Sequence, residues 1–169
     1  MKKLIYALLI SLVVFAAPSF AAPNWKYIGT DNGSKLYVDT NSICISGMWD
    51  GECGILHSCD SKIIPGGAGK KAFDNKYGQP VGYVIDKWDS DASMVLYTRK
   101  VYNTRGKLIR QERFPDPEFK DTNTICNLLY DYAHDFTTAN KMQDKIYKLT
   151  KQHKNSIVYL YSTGKVKIQ

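Results

Sequence analysis

Asn32-Gly33 lies between two short runs of alternating residues, and that arrangement leaves little room for anything but a tight antiparallel hairpin. Both residues tolerate the positive φ that a two-residue turn demands, and the right-handed twist of the flanking strands favours such a turn. Residues 25–29 and 35–40 are the paired strands. In the second, Leu36 and Val38 fall on one face and Tyr37 and Asp39 on the other, the pattern of a sheet packed on one side. Ile43 and Ile45 repeat the period in a third short strand.

Between positions 47 and 82 the pattern lapses. Eight glycines (47, 51, 54, 66, 67, 69, 78 and 82), with Pro65 and Pro80, predict an irregular excursion. Strand patterns resume over 83–88, 94–102 and 107–114. Asn103-Thr104-Arg105-Gly106 carries Asn first and Gly last, as a type I turn prefers. Met94, Leu96 and Thr98 are expected on one face, and Val95, Tyr97, Arg99 and Val101 on the other. Ile125, Leu128, Leu129, Tyr132 and Phe136 then recur at helical spacing, with a cap among Asp121, Thr122, Asn123 or Thr124. Residues 139–153 also read as helix, and 157–161 as a last strand. These elements predict one α+β domain over 22–169: an antiparallel β-sheet packed on one face by a C-terminal amphipathic helix.

The first 21 residues follow the plan of a signal peptide: Lys2 and Lys3, an apolar run from Leu4 to Ala17 broken only by Ser11, then small residues around a cut after Ala21. The run is shorter than the roughly 20 residues a membrane span needs. The expectation is therefore an exported chain, in the periplasm or on the outer cell surface, with no transmembrane span after processing. Removing two lysines and no acid lowers the formal charge from +7 to +5. A basic exported domain suits an anionic envelope or host-surface ligand, or an acidic protein, and not nucleic acid.

Cys44, Cys53, Cys59 and Cys126 all lie beyond the signal. An even count in an oxidising compartment predicts disulfides. The favoured pairing is Cys44–Cys53 as a local staple and Cys59–Cys126 as a long-range one, stabilising by roughly 3 and 4 kcal/mol in the chain-entropy treatment. No C-x-x-C is present, so a zinc knuckle or thioredoxin-type pair has little support.

The segment Trp25-Lys-Tyr-Ile-Gly-Thr30, the turn, then Leu36-Tyr-Val-Asp-Thr-Asn-Ser-Ile43 resembles the opening of the surface-adhesin protein E family, small exported proteins of Gram-negative bacteria. Val101-Tyr-Asn-Thr-Arg-Gly-Lys-Leu-Ile109, with Phe114-Pro115 and the amphipathic helix, is similar to the later hairpin and helix of that group. The two blocks cover under half of the processed chain. The resemblance implies an antiparallel sheet with a helix, an envelope location and a binding role. The cysteine-rich stretch 47–82 and the basic tail after Ala139 depart from the pattern.

Little in the chain points to catalysis. His57, between Cys53 and Cys59, is a candidate partner for a cysteine nucleophile or a metal, but reads better as an exposed loop histidine. His134 and His153 read as surface residues on helices. Gly66-Gly67-Ala68-Gly69-Lys70 fails as a phosphate loop, since Ile64 holds the first glycine position and Lys71 the Ser/Thr position. Asp86, Asp89 and Asp91 read as a solvated turn, and Asp116 and Glu118 lack a supporting constellation. Lys141, Lys145 and Lys148 form a basic helical stripe, extended by Lys151 and Lys154. With Tyr97 they are the expected binding residues. The reading is a non-enzymatic, adhesin-E-like binding protein with no cofactor or metal. The alternatives are a periplasmic structural or inhibitory module and, less favoured, a secreted hydrolase.

Overall fold

Residues 22–49, 53–90, 95–114 and 124–169 are described by a computed structural model; the expected signal peptide lies outside them. Nine strands and three helices follow in the order β1 (Trp25–Asp31), β2 (Ser34–Asp39), β3 (Cys44–Trp49), β4 (Cys53–Ile64), α1 (Gly67–Tyr77), β5 (Val81–Ser90), β6 (Val95–Asn103), β7 (Leu108–Arg113), α2 (Thr124–Ala139), α3 (Met142–Gln152), β8 (Val158–Tyr161) and β9 (Val166–Ile168). Every strand pair is antiparallel. The α+β class read from the pattern holds at this level.

The sheet branches at β4. Its first half pairs with β3, which continues through β8 to β9, and its second half pairs with β2, which continues to β1. The other side of β4 carries β5, β6 and β7. So the organising strand lies inside the stretch expected to be irregular. What identifies it is period 2: His57, Cys59, Ser61 and Ile63 are all buried, while Ser58, Asp60, Lys62 and Ile64 are not. Polar residues on the buried face hid the alternation from a hydrophobicity reading.

The glycines of that stretch have a physical use. A Cβ on Gly66 would overlap the carbonyl oxygen of Gly33, so bare backbone brings the start of α1 against the β1–β2 turn. There the Asn32 carbonyl accepts from the Gly69 N–H at 3.5 Å, and Ser34 Oγ accepts from the Gly66 N–H at 3.3 Å. The helix start resembling a phosphate loop is therefore already occupied by the hairpin turn. Asn32 and Gly33 adopt φ of 48° and 80°, the left-handed pair the sequence predicts.

Cross-strand partners carry one face inward: Val38, Ser61, Asp86, Arg99 and Glu112 run in register over five strands. Leu36, Val38, Ile43, Ile63, Val84, Trp88 and Val101 form the main core with Leu129, Ala133 and Cys126 of α2; Phe73 and Tyr77 of α1 pack against it. The buried centre of α2 is Cys126, Leu129, Ala133 and Thr137, one residue round from the expected stripe, whose members Ile125, Leu128, Tyr132 and Phe136 flank it. A second, smaller cluster joins Ile45, Val158 and Leu160 to Met142 and Ile146 of α3.

Four expectations need correction. Asp86 is not in a solvated turn: it is fully buried on β5 and takes a bidentate pair of hydrogen bonds from Arg99, at 2.9 and 2.7 Å. Burial pushes its carboxyl up, against the pull of Arg99; burial alone would lower the guanidinium, but Asp86 raises it. Removing one partner of such a pair typically costs about 3–5 kcal/mol, because the other charge stays buried. The expected faces of β6 also change midway. Trp88 is opposite Leu96 and Lys87 opposite Thr98, so Tyr97 is the extra residue of a bulge. Leu96 thereby joins the core side with Arg99 and Val101, and Tyr97 stays 48% exposed. The helical pattern over 139–153 breaks at Lys141, whose φ is 52°.

The disulfide staples are the fourth. Cys44, Cys59 and Cys126 are buried thiols. Cys44 is opposite Ser58 in the β3–β4 register, whereas Cys53 is opposite Trp49, so five residues of strand separate the expected local pair. That is about 17 Å along a strand, far beyond disulfide reach. Cys59 and Cys126 both sit in the main core without forming a bridge; the side chain of Cys53 lies outside the described residues. The irregular loop that seemed to need crosslinks is instead a central strand and a helix.

Candidate functional site

Met142, Ile146 and Thr150 are the buried positions of α3, at i, i+4 and i+8, and they seat the helix on β3 and β8. The same spacing points Lys145 and Lys148 along the flank of the helix, towards the β8–β9 hairpin. Between helix and hairpin lies an open groove of about 450 Å³. Met142, Leu149, Leu160 and Val166 provide its apolar lining, and Lys145, Lys148, Gln152 and Ser162 its polar groups.

The hairpin that forms the far wall was not expected beyond its first strand. Gly164, at φ 83°, turns the chain after Tyr161, and Val166–Ile168 pairs back on β8. The signal was present as Thr163-Gly164 between Val158/Leu160 and Val166/Ile168, but β9 is three residues long and too short to stand out.

The groove is electropositive. Lys141, Lys145 and Lys148 are exposed, and among the described residues none of them forms an ion pair. Lys151, by contrast, is held by aromatic rings: its Nζ lies 4.2 Å from the Tyr147 centroid and 4.9 Å from that of Trp49. Tyr161 alternates with Leu160 and lies opposite Cys44, so its ring stands on the other sheet face, where burial, with Cys44 and Tyr159 adding to the effect, raises its hydroxyl. The structure thus brings two of the expected binding residues to one concavity. Lys141 caps the start of α3 and does not line the groove, and Tyr97 sits on the bulge of β6, on the opposite side of β4.

His57 is not the exposed loop residue expected. It is buried on β4, its Nε2 is 3.3 Å from the Thr137 hydroxyl, and its ring lies 6.0 Å from Tyr130 and 5.9 Å from His134. The Thr137 hydroxyl donates to the His134 carbonyl at 2.9 Å, so its oxygen accepts from Nε2–H. Nδ1 then holds the lone pair and has no hydrogen-bond partner among the described residues. Burial first, and His134 second, lower the pKa of His57, which keeps it neutral. Burial pushes Cys44 up to about 11 and raises Cys59 further, with nearby carboxylates contributing, so neither thiol is an activated nucleophile. Among the described residues no group of three or more His, Cys, Asp or Glu side chains is placed to hold a metal ion. His134 is exposed and stacked on Tyr130, and His153 closes α3 through its own N–H to the Leu149 carbonyl at 3.0 Å. Asp91, Asp116 and Glu118 lie outside the described residues.

No protein-family model matches the chain, and no curated protein or solved structure matches it. No helix among the described residues is long and apolar enough to cross a membrane.

Proposed function

We propose that this chain is an exported, non-enzymatic binding protein of a Gram-negative envelope or cell surface, similar to the surface-adhesin protein E family, which takes an anionic partner in the α3/β8–β9 groove. One observation carries the reading: Lys145 and Lys148, without ion-pair partners among the described residues, flank an apolar concavity. A carboxylate or phosphate seated against them keeps its charge satisfied while its attached apolar part covers Met142, Leu149 and Leu160. The protonated buried thiols and the enclosed, neutral His57 support a binding role over nucleophilic catalysis. The finer arrangement expected of the fold, a C-terminal helix laid on one sheet face, fits this role, since it sets the groove at the helix–sheet boundary.

Changing Lys141, Lys145 and Lys148 together to alanine is the test. Each exposed charge contributes up to about 1 kcal/mol, so the triple variant should weaken binding of an anionic partner by about tenfold or more. Unchanged binding would show that the groove is not the site. Protease shaving of intact cells, against a periplasmic control, decides the compartment. Cleavage puts the chain on the surface, and protection makes it a periplasmic module.

A further inference from the structure

The sheet has a second face, and its chemistry differs from that of the groove. Residues alternating with the core positions point away from α1, α2 and α3, whose apolar side chains in the two core clusters pack with the other face. On this outer face each of five neighbouring strands presents one cation: Lys35 on β2, Lys62 on β4, Lys87 on β5, Lys100 on β6 and Arg113 on β7. Strand spacing is about 4.8 Å, so the cations form a staggered ladder across the sheet. Asp39, Asp60 (opposite Lys87) and Asp89 are the acids on this face, fewer than its five cations, leaving it cationic.

Aromatic rings accompany the ladder. Lys62 Nζ lies 4.7 Å from the Tyr83 centroid and 5.9 Å from that of Trp25. Tyr83 and Tyr102 are stacked, 4.6 Å between centroids and 15° between planes. Tyr27 meets Tyr37 edge to face at 5.6 Å and is 50% exposed. A flat surface of aromatic rings with one cation per strand has two demands of a ligand. It must offer C–H faces to the rings, and negative charges spaced along a chain rather than crowded on it.

We propose that this face binds a polysaccharide carrying uronic-acid carboxylates. Pyranose rings supply the C–H faces, and carboxylates repeating along the chain meet successive cations of the ladder. A heavily sulfated chain carries more charge than one cation per strand can match and covers its own ring faces. This surface is separate from the groove and stands whether or not the groove reading holds.

The test is a titration of the mature chain with a defined oligouronate, read by calorimetry and by tryptophan fluorescence, since Trp25 borders Lys62. Binding should saturate, weaken with added salt, and be absent for a neutral dextran of equal length. The double variant Lys35→Gln/Lys100→Gln should lose about tenfold or more in affinity, with an unchanged thermal melt because both side chains are exposed. Trp25→Phe should remove the fluorescence change. The groove variant Lys141→Ala/Lys145→Ala/Lys148→Ala should bind the oligouronate normally. Full affinity in the double variant, equal binding of dextran, or loss only in the groove variant would overturn the inference; the last would leave the groove reading standing. Tighter binding of a sulfated chain, anionic vesicles or single-stranded RNA at matched charge would also overturn it.

Discussion

His57 shows how one side chain couples this fold to pH. Its imidazole is buried, its Nδ1 has no partner among the described residues, and burial, with His134, holds its pKa below the ordinary 6.5. The unfolded chain, whose histidine has the ordinary value, therefore takes up a proton that the native state refuses. Stability is complete above pH 6.5, falls as the pH drops below it, and levels off once the folded-state pKa is passed. The slope in that window is at most about 1.4 kcal/mol per pH unit for one proton. Urea unfolding between pH 8 and pH 5 should show it, and His57→Gln, which stays neutral and retains an N–H for Thr137, should flatten it. The same slope in both proteins would mean that another group sets the acid limit.

At the scale of elements, the junction of the β1–β2 turn with α1 is the place where a small change should matter most. Gly66 is extended at φ −144°, so an alanine there meets no conformational objection, and any penalty is purely steric. Its methyl would collide with the Gly33 carbonyl, which is backbone and cannot swing aside. Overpacking of this kind costs about 1–3 kcal/mol. Gly66→Ala should lower the urea midpoint by a corresponding amount, while Gly106→Ala would be a test of a different kind, strained by φ 76° rather than by contact. If Gly66→Ala unfolds like the parent, α1 is not pinned by the hairpin. The helix is otherwise anchored by the hydrogen bond from the Tyr77 hydroxyl to Glu112 at 3.1 Å and by Asp74, which pairs with Lys70 and accepts from the Val81 N–H at 2.8 Å.

The whole molecule is held by burial and register, with no disulfide among Cys44, Cys59 and Cys126. Two consequences can be measured together. The melting temperature should be the same with and without reductant. Thiol reagent should find at least three reactive groups in the unfolded, unreduced protein and far fewer in the native one, where these cysteines are buried. A melt that drops on reduction would show that covalent staples carry part of the stability after all. The cationic surfaces also belong to this scale. The outer face gathers cations from five strands between residues 35 and 113, so their potentials add only in the folded state.

Local chemistry was enough for much of this. Asn32-Gly33 and Asn103–Gly106 set their turns because a two- to four-residue φ/ψ requirement is met or failed on the spot, and Gly33 and Gly106 do adopt positive φ. The 3.6-residue pattern placed α2, and the period-2 runs placed β2, β5 and β7 to within a few residues. Lys145 and Lys148 were legible as one helical stripe. The central strand was not, because His57, Cys59 and Ser61 are inward for reasons supplied by partners elsewhere: Thr137 for His57, the α2 core for Cys59, and the indole N–H of Trp88, 2.7 Å from Ser61 Oγ. Nor could spacing pair cysteines, since the β3–β4 register alone puts Cys44 opposite Ser58. Turn chemistry and periodicity are properties of neighbours along the chain and are decided there. Which polar side chain can be buried, which glycine must stay bare and what wall faces a lysine stripe depend on residues outside the local pattern, and only tertiary packing brings those together.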